Sequence, residues 1–119
     1  MLNRIVIDNF ATIEHLSFDL SEGLNIITGE TGAGKSVLVE AIHTALGGRA
    51  DISMIRRGAK KAVIQIAGTM EGEDVIIIRE LMASGKSISK LNGEMVTLVQ
   101  LRNFCRAMVD IHGQYDNQV

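Results

Sequence analysis

Gly29-Glu30-Thr31-Gly32-Ala33-Gly34-Lys35-Ser36 is the stretch on which the fold reading turns. It fits G-x-x-x-x-G-K-[ST] at every fixed position. The glycines permit positive φ and leave no Cβ between the backbone and a ligand. Successive N–H groups can then face one concavity and bind phosphate oxygens. A helix that opens at the end of the loop adds its positive pole and its unpaired N–H groups. Lys35 places a point charge against the β- and γ-phosphates, and the Ser36 hydroxyl is a hard oxygen ligand suited to Mg²⁺. The eight residues therefore predict a site for a nucleoside triphosphate, ATP with Mg²⁺. Gly29, Glu30, Thr31, Gly32, Ala33, Gly34 and Lys35 line the triphosphate, and Ser36 binds the metal. At average residue usage the pattern arises by chance in roughly one chain of this length in a few hundred. It also demands a strand before it and a helix after it, and the flanking residues supply both.

Upstream, residues 24–28 form a short apolar strand that runs into the loop. Residues 4–8 read as a strand, and Leu16, Phe18 and Leu20 alternate with Ser17 and Asp19 as in a strand with one wet face. Downstream, residues 35–46 carry an apolar stripe at Val37, Leu38, Ala41, Ile42, Ala45 and Leu46, with Glu40, His43 and Thr44 on the other side. Gly47-Gly48 stops that helix. Residues 49–61 read as irregular. Residues 62–70, 75–81 and 87–91 then form an antiparallel meander, with turns at 71–73, 84–86 and Asn92-Gly93. Thr97 and Gln100 make a capping box that opens a helix, whose buried face is Leu98, Leu101, Cys105 and Met108. Residues 109–111 read as a last short strand. The chain ends at Val119 with no cap or closing element, which reads as a cut rather than a natural terminus.

The chain has 119 residues and a formal charge of −2, so no overall field draws it onto nucleic acid or an anionic membrane. Any DNA contact must be local or come from elsewhere. Three Phe, one Tyr and no Trp make a base-stacking platform unexpected. The single cysteine, Cys105, forms no internal disulfide and fits a reducing cytoplasmic setting. No apolar run reaches membrane-spanning length, and no signal peptide is read. His15 and His43 have no partners at ligand spacing, which argues against a zinc site. Met54, Met70, Met82, Met95 and Met108 read as core filler or loop positions.

Two features narrow the class. Two strand-like segments precede the phosphate-loop strand, as in ABC-type ATPase heads, whereas in Ras-like GTPases the loop follows the first strand. The end, Val109-Asp110-Ile111-His112-Gly113-Gln114, admits two readings. Gln114 can be a Q-loop glutamine that reaches Mg²⁺ and the attacking water. Alternatively Asp110-x-x-Gly113-Gln114 can be the switch element of a GTPase-like domain, although no N-K-x-D guanine reader follows.

Asn9-Phe10-Ala11, Gly23-Leu24-Asn25, residues 29–36, Gly47-Gly48-Arg49-Ala50-Asp51, and Asp110 to Gln114 together resemble the start of the RecN family of bacterial DNA-repair proteins. That family is similar to the structural-maintenance-of-chromosomes (SMC) proteins. The resemblance covers essentially the whole chain. It implies an α/β P-loop NTPase fold: an ABC/SMC-type head lobe with a mixed sheet, an antiparallel β-meander and a P-loop helix. Residues 1–119 would be the N-terminal half-head from P-loop to Q-loop, without the coiled coil and the C-terminal half-head. It further implies ATP-dependent recombinational repair of DNA double-strand breaks, DNA as partner of the full-length protein, homodimers through ATP-engaged heads, and a cytoplasmic, nucleoid-associated location. Under it Lys35 and Gln114 are the catalytic groups, Gln114 joins Ser36 at the metal, and Arg57 stands where related heads place a nucleotide-near arginine. Where many related heads have a basic residue after Asn-Phe, this chain has Ala11 and Thr12.

Hydrolysis in this class needs an apolar strand ending in Asp-Glu, but Val75 to Ile78 is followed by Arg79. A Leu-Ser-Gly-Gly signature is also missing. Phosphoryl transfer uses these parts together, so this chain is expected to bind ATP and not to turn it over. The cluster Arg56, Arg57, Lys60 and Lys61 fits DNA phosphates, nucleotide, or a solvated loop equally. His112 is a candidate γ-phosphate neighbour. A non-catalytic assembly module, whose P-loop only orders the fold, is the competing reading from another class.

Overall fold

The computed structural model describes residues 2–19 and 32–112. Among the described residues six strands form one sheet: β1 (Leu2–Phe10), β2 (Ile13–Asp19), β3 (Lys61–Met70), β4 (Glu73–Met82), β5 (Ser87–Leu91) and β6 (Glu94–Val96). Helix α1 (Gly32–Ala45) follows β2, a 3₁₀ turn spans Ile52–Met54, and α2 (Leu98–His112) follows β6. The order is β2-β1-β3-β4-β5-β6, and every described pairing is antiparallel. The expected strand at 24–28 lies outside the described residues.

Alternation decides which face is buried. Ile5 and Ile7 of β1, Ala62, Ile64 and Ile66 of β3, and Val75, Ile77 and Leu81 of β4 all point inward. Leu38, Ala41 and Ala45 of α1 pack on that layer. The two alanines let the helix backbone approach the sheet closely. A 14-residue helix is marginal alone. Each buried isoleucine beneath it contributes about 1.5–3 kcal/mol relative to exposure, so packing rather than propensity holds α1. A second cluster joins Val75 and Ile77 to Leu101 and Cys105 of α2. Burial pushes the Cys105 thiol up to about 11. The neutral thiol's share of stability is thus present below the unfolded thiol's ordinary value, and is lost as pH rises through about 11. Native Cys105 is expected to resist alkylation at pH 8 and to react promptly in denaturant. Rapid alkylation of the folded chain would contradict its placement.

Two-residue turns close the meander at Glu71-Gly72 and Asn92-Gly93, with positive φ at all four residues. Asn92 also accepts from the Ile76 N–H at 2.7 Å through its side chain. At the start of α2 the capping box is reciprocal. Gln100 N–H donates to Thr97 Oγ1 at 3.0 Å, and Thr97 N–H donates to Gln100 Oε1 at 2.9 Å.

Four expectations change. Helix α1 opens at Gly32, not Lys35, which makes the last five loop positions helical. Residues 109–111 are not a strand, because α2 runs to His112. No Gly or Pro interrupts the segment between Thr97 and Gly113, and extending an existing helix is easier than nucleating a new element. Glu94–Val96 is a strand that alternation over three residues could not reveal. Thr44, expected on the polar side of α1, is buried, and its hydroxyl donates to the Glu40 carbonyl at 2.9 Å. That back-bond removes the cost of burying it.

Candidate functional site

Helix α1 begins inside the glycine-rich loop. The first four N–H groups of a helix have no carbonyl four residues behind them. Here those groups belong to Gly32, Ala33, Gly34 and Lys35, and no acidic side chain sits in that first turn to compete for them. Ser36, one residue further on, is exposed. Donor amides, a positive helix pole and an available hydroxyl fit a polyphosphate and its Mg²⁺ chemically. Gly29, Glu30, Thr31 and Gln114 lie outside the described residues, as do the side chains of Lys35 and His112.

At the other end α1 is closed with unusual thoroughness. Gly48 N–H donates to the His43 carbonyl at 2.8 Å and Gly47 N–H to the Thr44 carbonyl at 3.2 Å, with Gly47 at φ 104°. That is a Schellman motif. Two arginines from other elements then donate to carbonyls at and just beyond this end. Arg79 of β4 donates through Nη1 to Thr44 O at 2.7 Å and Gly48 O at 3.3 Å, and through Nη2 to Ser87 Oγ at 3.0 Å. Arg102 of α2 donates through Nε to Gly47 O at 2.8 Å. Arg79 is 1% exposed and its Nε has no partner. Burial, and secondarily the nearby Arg102 charge, holds its guanidinium below the usual arginine value. In the sequence Arg79 stands where an Asp-Glu strand would carry its aspartate. The signal was there: Val75, Ile77, Arg79 and Leu81 share one face of an alternating strand, so the arginine had to point into the core.

Arg57 is exposed at the corner of a turn in which Ala59 N–H donates to Arg56 O at 2.9 Å. Gly58 at φ 88° completes it. The structure brings this loop to Asn9-Phe10-Ala11. Arg56 N–H donates to Asn9 O at 2.8 Å, Ala11 N–H donates to Met54 O at 2.6 Å, and Phe10 bridges to Ile55. Asn9 and Ala11 sit at φ 55° and 54°, which turns Phe10 into the core out of the strand's alternation. Among the described residues, no hydrogen bond or ion pair joins Arg57 to α1. Of the basic cluster, Lys61 belongs to β3 and pairs with Glu80 at 3.6 Å, whereas Arg57 and Lys60 are exposed. Asp110 lies within α2 rather than at a strand end, where a GTPase-like switch would need it. His15 Nδ1 contacts Asp8 Oδ1 at 2.6 Å on the sheet face away from the helices. Among the described residues no three His, Cys, Asp or Glu side chains are grouped to hold a metal, and no helix is long and apolar enough to cross a membrane.

The model of the AAA domain family matches residues 4–112. The DNA repair protein RecN of Bacillus subtilis is 38% identical over 136 residues, an alignment covering 100% of this chain and 24% of that protein. The chain thus spans about a quarter of the length of the curated relatives it matches. Among solved structures, an SMC ATPase superposes with a TM-score of 0.78 at 23% identity, covering 91% of this chain and 79% of that one. The SMC head domain from Thermotoga maritima gives 0.68 at 21% identity, over 87% and 41% of the two chains. These likenesses place the described architecture among SMC-type head folds.

Proposed function

The chain belongs to the AAA domain family, and from that premise we propose that it is the ATP-binding N-terminal half of an SMC-like head in a RecN-type DNA-repair ATPase. One observation carries the reading: the glycine-rich pattern at 29–36 ends in the first turn of α1, a turn that holds no acidic residue. Gly29 to Lys35 hold the triphosphate, Ser36 holds Mg²⁺, and Gln114 reaches the metal and the attacking water. Arg57 approaches the nucleotide from the loop fastened to Asn9-Phe10-Ala11. Mg²⁺ held by Ser36 would supply charge neutralisation at the phosphates.

The partners in this reading are the C-terminal half-head of the same protein, a second head closing over ATP, and DNA, in the cytoplasm. Identity to RecN across the whole chain supports the repair role. The chain alone binds ATP without turning it over, because Arg79 follows the apolar run of β4 and is committed to the end of α1. The GTPase-like alternative loses its support with Asp110 inside α2.

Calorimetric titration with Mg-ATP and Mg-GTP, paired with a phosphate-release assay, tests this. Binding that favours ATP, with no release above the level of Lys35→Ala, is expected. GTP preference would restore the switch reading. Absence of any heat would favour an assembly module, and turnover abolished by Lys35→Ala would contradict the inactive half-head.

A further inference from the structure

We propose that Arg79 and Arg102 clamp the C-terminal end of α1 to the sheet and to α2, and thereby act as positioning residues for the phosphate-binding end of that helix. The inference rests on the reading of residues 29–36 as a triphosphate site.

The apolar face of α1 sets its position along its own axis less sharply than directional bonds would. Leu38, Ala41 and Ala45 pack with Ile5, Ile7, Ile64 and Ile66. Hydrophobic contact is non-directional, so such a surface resists separation more than sliding. Hydrogen bonds are directional. Three carbonyls at the helix end and just beyond it, those of Thr44, Gly47 and Gly48, accept from guanidinium groups. Those groups come from two elements, β4 and α2, so the end is held from two directions. A helix is rigid along its length, at 1.5 Å per residue. Fixing the C-terminal carbonyls therefore fixes where the amides of the first turn stand.

Gly47 shows how closely the second arm is fitted. A Cβ there would lie 2.7 Å from Arg102 Cγ. The helix already satisfies its last carbonyls through the Schellman motif, so Arg102 is not needed merely to end it. On its face of α2 the side chains one turn away, Val99 and Arg106, are exposed, and so is Arg102 itself apart from this contact. Losing it therefore removes position and little core.

The test uses the full chain as Arg102→Ala and Arg102→Lys, with Arg79→Lys as a second arm. Two quantities are read: affinity for Mg-ATP, and amide hydrogen exchange along α1 and the sheet. Arg102→Ala should bind Mg-ATP about five- to tenfold more weakly. Exchange should quicken along α1 and stay unchanged in β1, β3 and β4. Arg102→Lys, which keeps a donor, should recover most of the affinity. Arg79→Lys keeps the charge and loses the fork, and should weaken binding in the same direction. Wild-type affinity in Arg102→Ala would overturn the proposal, as would faster exchange spread evenly over helix and sheet. If the unaltered chain binds no triphosphate, the nucleotide reading fails separately. The clamp is then judged on exchange alone: quickening confined to α1 supports it, and unchanged α1 protection refutes it.

Discussion

Gly48→Ala is expected to cost about 2–3 kcal/mol of folding stability, more than a typical surface change. The cause is contact. A Cβ at Gly48 would lie 2.6 Å from the His43 carbonyl oxygen and 3.1 Å from its carbon. Both atoms are backbone, so no side chain can swing aside. Relief requires moving the chain and breaking the Gly48 N–H bond to His43 O that closes α1. Gly47→Ala should lose a comparable amount by a different route. Its φ of 104° strains any L side chain by about 1–2 kcal/mol. Its Cβ would also press on Arg102 Cγ at 2.7 Å and on the Arg102 backbone at 3.3 Å. Gly58 separates the two effects. It sits at φ 88° with nothing within 4 Å of a built Cβ, so Gly58→Ala should cost only the conformational part, about 1 kcal/mol. Chemical denaturation of the three variants gives the comparison. Equal small losses at all three positions would mean that the close approach at Gly48 is not maintained in solution.

Lys35→Ala should move affinity and stability in opposite directions. Removing a charge-assisted contact to phosphate costs about 1.5–3 kcal/mol, or a roughly 10- to 100-fold rise in Kd for Mg-ATP. Yet Lys35 is the fourth residue of α1, at the positive pole of the helix dipole, where a cation is unfavourable. The same substitution should therefore raise the stability of the nucleotide-free chain by about 0.3–1 kcal/mol at low salt. Titration calorimetry and thermal denaturation of one sample pair read both signs. A variant that loses binding because it is less stable would show that Lys35 supports the fold rather than the ligand.

The parts of the fold that sequence patterns expose are those in which one physical rule acts alone. Alternation in β3 and β4 marks their buried faces, and the Thr97–Gln100 pair marks the start of α2 at the residue where it occurs. The glycine-rich loop announces the beginning of α1 to within three residues. What escaped reading lies where two rules compete. Thr44 looks polar on a helical wheel, but its back-bond to Glu40 lets it enter the core. Arg79 looks like an interruption of an apolar strand, yet alternation turns it inward, where the carbonyls of Thr44 and Gly48 accept from it. Pairing that end of α1 with Arg102 needs three-dimensional proximity across 55 residues, which no local pattern carries. At the far end of α2, Val109-Asp110-Ile111 alternates over too few residues to outweigh a helix already under way. The joining of Asn9-Phe10-Ala11 to the Arg57 loop is likewise a tertiary fact, made by backbone hydrogen bonds that side-chain types do not encode.

The amide NMR spectrum of the chain, recorded as Mg-ATP is added, examines the phosphate cradle most directly. Residues 29–36 should show the largest shifts, with the amides of Gly32 to Lys35 moving as they donate to phosphate oxygens. The open face of the sheet should stay still. Shifts centred on any other surface, or a spectrum unchanged at saturating nucleotide, would contradict the assignment of this helix start as the triphosphate site.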